Sequence, residues 1–158
     1  MSVTVATSEH HDAILDIAEH SFIYDRFHAD PLVPNDKANA LKRGWMENYC
    51  RGLRGKETLV GLVDGRVAGF LGVLESKWDG EEARIIDLVA VSKAFQRRRV
   101  GQRMVEVFNG KYGEECDTLI VGTQVANIPS SRLYEQCGYK LTRSTYVLHA
   151  HRVDGEMS

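Results

Sequence analysis

The chain predicts an α+β fold: a mixed central sheet, mostly antiparallel, with one parallel strand pair and about four flanking helices. Three observations carry this. Asp64-Gly65 and Trp78-Asp79-Gly80 are consecutive turn signals that join three strand-like runs in antiparallel order. An amphipathic helix through Val100, Met104, Val105 and Phe108 separates the third run from Thr118-Leu119-Ile120-Val121. A helical connection between two strands of one sheet makes them parallel. No repeat, low-complexity tract or linker interrupts the 158 residues, so one domain, 1–158, is expected.

In order, Val3-Thr4-Val5 alternates as a short first strand, and Thr7-Ser8 offers an N-cap for a helix running to about Ser21. Phe22 to Pro34 holds two of the three prolines and must be a loop. Asn35 or Asp36 can cap a second helix, with Ala38, Leu41, Trp45 and Tyr49 on one face and Gly52 and Gly55 at its end. Thr58–Val63 and Arg66–Leu74 form the first hairpin. The near-continuous apolar run Ile85-Ile86-Asp87-Leu88-Val89-Ala90-Val91 is rich in β-branched residues and reads as a buried central strand. After Thr118–Val121, Pro129 lies in the first turn of a last helix that buries Leu133, Tyr134 and Cys137 and stops at Gly138. Tyr139 to His149 is expected as a final strand, whose edge could pair with a second subunit as a homodimer.

The bulk properties exclude several classes. A formal net charge of -2 argues against a dedicated nucleic-acid partner, since the Arg97-Arg98-Arg99 run is local. No apolar stretch approaches the roughly 20 residues that span a membrane, and the N-terminus lacks signal-peptide character. Cys50, Cys116 and Cys137 are odd in number and widely spaced, which fits reduced thiols in a cytoplasmic protein and no metal site.

Between the central strand and its helix lies a basic turn, Gln96-Arg97-Arg98-Arg99-Val100-Gly101-Gln102. A strand that feeds through a turn into a helix N-terminus aims free N–H groups and the positive dipole end at one point, a setting for phosphate. The spelling Gln-x-x-x-x-Gly here resembles the acetyl-CoA pyrophosphate loop, Gln-x-x-Gly-x-Gly, of the GNAT N-acetyltransferase superfamily, with Arg99 in place of the first glycine. An arginine there is expected to hold an ordinary φ and to add charge near the phosphates. Asn127-Ile128-Pro129-Ser130-Ser131-Arg132-Leu133-Tyr134, closed by Gly138-Tyr139, is similar to the second signature of that superfamily.

The resemblance implies a GNAT-like sheet whose fourth and fifth strands are parallel and splay apart around acetyl-CoA. It places pantetheine along Val89, Ala90 and Val91, the pyrophosphate on Arg97, Arg98, Arg99, Val100, Gly101 and Gln102, and a further cofactor contact at Asn127. It assigns Tyr134 as the general acid for the departing CoA thiolate. A phenol of pKa about 10 beside a thiol of about 8.5 suits that role. Relatives carry a catalytic Glu at positions held here by Gly122 and Ile85, neither of which can act as a base. Asp87 shares a face with Ile85 and is the one charge of its strand, so it is the candidate base or ammonium holder, with His28 and Asp30 behind it. A structural ion pair is the competing role for Asp87.

The acceptor is expected to be a small-molecule amine. Arg26-Phe27-His28-x-Asp30-Pro31, with Trp45 and Asn48 on the next helix, resembles the TDP-fucosamine N-acetyltransferase subgroup and implies a nucleotide-linked amino-deoxysugar bound by Phe27, His28 and Asp30. A protein or peptide N-acetyltransferase and a non-catalytic acyl-CoA-binding module are the alternatives. Retention of Tyr134 counts against the module.

Overall fold

The computed structural model describes residues 1–148, 150, 152–153 and 156–157. Its body is a five-stranded sheet in the spatial order β1-β2-β3-β4-β5. The strands are β1 (Ser2–Val5), β2 (Glu57–Val63), β3 (Arg66–Trp78), β4 (Glu81–Val91) and β5 (Thr118–Val121). Neighbours are antiparallel except β4 and β5, which are parallel, as the connecting helix requires. Both hairpins turn on two residues of positive φ, Asp64 (51°) with Gly65 (75°) and Asp79 (50°) with Gly80 (91°). That backbone twist matches the strands it joins.

Helices cover both faces. On one, α3 (Val100–Tyr112) packs Val100, Met104, Val105, Phe108 and Tyr112 onto Leu59, Leu71, Val73 and Ile86, and Tyr134 of α4 (Ile128–Gln136) joins the same core. On the other, α1 (His11–His20) and α2 (Asn35–Cys50) bury Ile14, Ile17, Ala18, Met46 and Tyr49 against Val60, Phe70, Leu88 and Ala90. A short two-stranded ribbon, β6 (Arg152–Val153) and β7 (Glu156–Met157), follows.

Three expectations are corrected. The buried face of α2 carries Ala38, Lys42, Met46 and Tyr49, while Leu41 is exposed and Trp45 half-buried. The helix is rotated because its loop-side end is packed through a buried lysine, which an apolar count assigns to solvent. Helix α2 begins at Asn35 itself, behind Pro34, with no side-chain cap. Residues 139–148 form no strand, and His149 lies outside the described residues.

The turn after α2 is built on glycine. A Cβ on Gly55 (φ 72°) would lie 2.0 Å from Tyr49 Cε1 and 2.6 Å from the Val73 carbonyl, whereas Gly52 (φ 68°) faces open space. Gly55→Ala should therefore cost about 2–4 kcal/mol, from overpacking added to left-handed strain, and Gly52→Ala only about 1 kcal/mol. Urea denaturation of the two variants side by side checks the ranking.

Candidate active site

The pairing of β4 with β5 runs from Ala83↔Thr118 to Ile86↔Val121 and stops there, although β4 continues to Val91. On its other edge β4 stays paired with β3 through Val91↔Gly69. The β5-facing edge of residues 87–91, which includes Val89, Ala90 and Val91, is therefore left without a strand partner among the described residues. Its backbone donors and acceptors are available to an extended, amide-bearing chain.

The pairing ends at a bulge. Gly72 faces Leu88 and Val73 faces Ile86, so Asp87 is an extra residue on β4. A bulge puts two successive side chains on one face. Asp87 and Leu88 accordingly both point toward α2: Asp87 meets Tyr49, and Leu88 joins the α1/α2 core. Asp87 is closely held. Its Oδ2 accepts from the Tyr49 hydroxyl at 2.8 Å and from Arg54 Nε at 2.8 Å, and its Oδ1 accepts from Arg54 Nη2 at 3.1 Å. Burial and the Asp87 carboxylate push the Tyr49 pKa well above the ordinary phenol range. The ion pair foreseen for Asp87 is present, with Arg54 as its partner; Arg84 instead meets Glu75, Glu82 and Glu115.

The same face of α2 continues toward the loop. Lys42 is buried with its ammonium 4.6 Å from the Trp45 ring, 5.0 Å from Phe22 and 5.7 Å from Phe27, and 3.9 Å from Asp25 Oδ2. Burial lowers its pKa from the ordinary lysine value, opposed by the Asp25 carboxylate. Asp25, also buried, accepts from the backbone N–H of Phe27 at 3.0 Å and meets His28 Nδ1 at 2.6 Å, while His28 Nε2 lies 2.8 Å from Asn39 Oδ1. Both ring nitrogens of His28 are thus engaged. Asp30 is buried and accepts from the Leu32 N–H at 2.9 Å. Phe27 stands edge-on to Trp45, ring centres 6.2 Å apart, with Arg26 over its other side at 4.8 Å. The loop therefore gathers Phe27, His28 and Asp30 as expected, with the two polar groups turned inward to fix its shape. Asp25, Lys42, Tyr49 and Arg54 were missed. The spacing Ala38, Lys42, Met46, Tyr49 is the sequence signal that could have found two of them.

At the exit of β4, a single turn (Lys93–Phe95) leads into the basic loop, with Phe95 buried beneath Arg66 and Arg98. The expectation of an ordinary φ for Arg99 is overturned: its φ is 58° and ψ 19°, and Arg97 has φ 61°. The loop keeps a left-handed shape without the glycine. Left-handed Arg99 followed by helical Val100 turns successive N–H groups to one side, which makes an anion-binding concavity. The first helical acceptor, the Arg99 carbonyl, is taken by Arg103 N–H. The N–H groups of Val100, Gly101 and Gln102 therefore have no intrahelical acceptor. Gly101 packs closely, since a Cβ there would meet Leu133 at 3.3 Å and Val91 at 3.6 Å.

From the other strand, Asn127 stands before α4 and its side chain accepts from Ser130 N–H at 3.3 Å. Two helical turns on, Tyr134 is buried on the α3 side, edge-on to Tyr139 at 6.0 Å, and its hydroxyl has no hydrogen-bond partner among the described residues. Burial, with a smaller effect of Cys137, pushes its pKa up to about 12. The described residues hold no group of His, Cys, Asp and Glu able to bind a metal ion, and no helix long and apolar enough to cross a membrane.

Residues 12–139, which include the half-open β4 edge and the helix N-terminus after it, match the acetyltransferase (GNAT) family. The chain belongs to that family. The free edge of residues 87–91 and the loop of residues 97–102 suit an amide-bearing arm and a pyrophosphate. It is 30% identical over 139 residues to the spore coat polysaccharide biosynthesis protein SpsD of Bacillus subtilis (strain 168), covering 87% of this chain and 46% of that protein. The chain thus spans less than half the length of that relative. Among solved structures, a probable acetyltransferase superposes with a TM-score of 0.71 at 20% identity, over 94% of this chain and 97% of the other. The aminoglycoside N-acetyltransferase AAC(6')-Iy in complex with CoA gives 0.66 at 14% identity, over 94% and 93%. At these identities the structures share the fold.

The strained loop is open to test. Arg99→Gly removes a left-handed penalty of about 1–2 kcal/mol and adds about 0.5–1 kcal/mol of chain entropy, so the variant should be as stable as the parent or more stable by up to about 1.5 kcal/mol. The midpoint of urea unfolding reads this directly.

Proposed function

We propose that this GNAT enzyme acetylates the primary amine of a nucleotide-linked amino-deoxysugar by direct attack in a ternary complex. The observation that carries the reading is the surface built by the loop and α2. Phe27 and Trp45 offer flat apolar rings, and Arg26, Lys42 and Arg54 surround them with positive charge. Rings that can stack on a base or sugar, with Arg26 exposed and Arg54 partly exposed at their rim to meet a diphosphate, and Lys42 buried behind them, match such an acceptor. The part played by the 30%-identical relative in polysaccharide biosynthesis supports the same substrate class.

In this reading the amine nitrogen bonds to the acetyl carbon as the carbon–sulfur bond breaks, and Tyr134 holds a proton at its hydroxyl for the departing sulfur. With its pKa near 12, Tyr134 stays protonated throughout neutral and moderately alkaline pH. Backbone groups of Val89, Ala90 and Val91 hold the pantetheine arm, Asn127 adds a contact, and Arg97, Arg98, Arg99, Val100, Gly101 and Gln102 enclose the pyrophosphate. Phe27 stacks on the acceptor, while His28 and Asp30 act by holding the loop that presents it. Asp87, at the bulge where the strands part, meets the acceptor's ammonium.

CoA release should be measured with TDP- and UDP-linked amino sugars, polyamines, free amino acids and N-terminal peptides. Turnover confined to the nucleotide amino sugars is expected; turnover on peptides alone would overturn the acceptor assignment and leave the acetyltransferase standing. Tyr134→Phe should lower kcat by about 10²–10⁴-fold with acetyl-CoA binding retained. Because the donor keeps its proton to about pH 12, activity should rise with pH as the amine deprotonates, with no descending limb from Tyr134 below about pH 10.

Asp87→Asn separates two roles. As a holder of the ammonium it should raise the acceptor KM at least tenfold, the size of one charge-assisted contact of about 1.5–3 kcal/mol, with little change in the acetyl-CoA KM. A loss confined to kcat, together with loss of the ascending pH limb, would make it the base instead.

A further inference from the structure

The side chains around Asp87 stand in a row, and the row has a direction. Asp87 lies at the point where β4 and β5 part. Arg54 follows, bonded to it through Nε and Nη2. The Arg54 guanidinium lies 5.7 Å from the Trp45 ring, Phe27 stands edge-on to Trp45, and Arg26 lies over Phe27. Outward from the parted strands the order is therefore carboxylate, cation, aromatic rings. A nucleotide-linked amino sugar carries the complementary groups in the same order: amine, diphosphate, base.

Arg54 is the joint of this row. A guanidinium presents two bidentate edges, one made of Nε with Nη2 and one of Nη1 with Nη2. Asp87 takes the first. On the second, Nη1 has no hydrogen-bond partner among the described residues, and the Arg54 side chain is 37% exposed where that of Asp87 is 16%. The backbone beneath is held. The N–H groups of Arg51, Gly52 and Leu53 donate to the carbonyls of Glu47, Tyr49 and Asn48 in α2, and Gly55 packs on Tyr49. The two edges point roughly 120° apart, so at ordinary hydrogen-bond lengths a phosphorus on the second lies about 7 Å from the Asp87 carboxyl carbon. That leaves room for one sugar ring between an amine at Asp87 and a phosphate at Arg54.

We propose that Arg54 selects the acceptor: one edge positions Asp87 for the amine, and the other takes the phosphate oxygens of the same molecule. An ammonium brought to Asp87 meets the like charge of the guanidinium, and an oxyanion on the second edge offsets it. The two charged groups of the acceptor thus support each other's binding, and an amine without the anion is a poor substrate. The inference rests on the acceptor reading above and adds that amine and oxyanion are recognised through a single side chain.

The test compares a TDP- or UDP-linked amino sugar with the same amino sugar lacking the nucleotide. CoA release gives kcat/KM on each for the parent, Arg54→Gln and Arg54→Lys, with circular dichroism and the acetyl-CoA KM as controls for folding and donor binding. The parent should prefer the nucleotide-linked form. Arg54→Gln should reduce that preference at least tenfold, mainly by raising the KM of the nucleotide-linked form, as expected for the loss of one charge-assisted bidentate contact. Arg54→Lys keeps a charge beside Asp87, and with it the fold, but has no second planar edge, so it should lose most of the same preference. Equal losses on the two acceptors would make Arg54 a support for Asp87 alone and overturn the proposal, with the acceptor reading left standing. A lysine variant with the full preference overturns it as well. A parent that does not distinguish the two acceptors overturns the acceptor reading itself, and this inference with it.

Discussion

The candidate site is built around one interruption of hydrogen bonding. Strands β4 and β5 pair for four residues and then part, while β3 continues to hold β4 on its other side. A strand that loses its partner in mid-course would ordinarily be a liability, because its backbone groups must find other acceptors and donors. Here the free length is supported from behind by the β3 ladder and by two packed helical layers, so it remains straight and ordered while unpaired. Such an edge is already in the shape that an amide-bearing arm needs. Binding then orders the arm alone and spares the protein the entropy of forming the site.

The bulge at Asp87 couples that interruption to the acceptor side. Without the extra residue, residue 88 would face α3 and no carboxylate would stand beside a core leucine under α2. With it, one charge is inserted where the strands separate, and the α2 face answers with Tyr49, Arg54 and, further out, Lys42. A carboxylate in such a place costs several kcal/mol unless it is fully bonded. The turn that returns Arg54 to Asp87 runs close over Tyr49, where a Cβ on Gly55 would lie 2.0 Å from Tyr49 Cε1, so that position must be glycine. The candidate site thus joins a half made of backbone, the free β4 edge and the loop of residues 97–102, to a half made of a charged network that specific side chains hold together.

That division explains what could be read from the residues alone. Backbone-made features leave local marks. Asp64-Gly65, Asp79-Gly80, the apolar run of β4, Pro129 and Gly138 each announced an element, and the strand order and the parallel pair followed. The charged network left almost none. Asp25, Lys42 and Arg54 lie far apart in sequence and each looks like a solvated surface charge until the fold brings it to the α2 face; Asp87 alone stood out, as the one charge of an apolar strand. Lys42 misled the reading of α2 because its stem lies among Phe22, Phe27 and Trp45, where an apolar residue would be expected. Residues 139–148 misled in the opposite sense. Strand propensity is a statement about neighbours, and among the described residues that run pairs with no strand.

Arg99 shows how the two kinds of information meet. Read as a letter, it removes the glycine of a phosphate loop and with it the freedom to turn left-handed. In the structure the turn is left-handed all the same, with φ 58°, because constraints on both sides leave no other path. Val91 ends β4 against Gly69, Phe95 is locked into the core, and Val100 must start α3 with its side chain buried against the sheet. The strain of a non-glycine residue there is of order 1–2 kcal/mol, small beside the packing that enforces it. Arg99 holds the loop left-handed, with the N–H groups of Val100, Gly101 and Gln102 free of intrahelical acceptors, and adds a positive charge to the loop. For an anionic ligand held mostly by backbone dipoles, a full charge at that point strengthens attraction at a distance, which dipoles supply poorly. The departure from the familiar spelling therefore preserves the geometry of the loop and changes its charge.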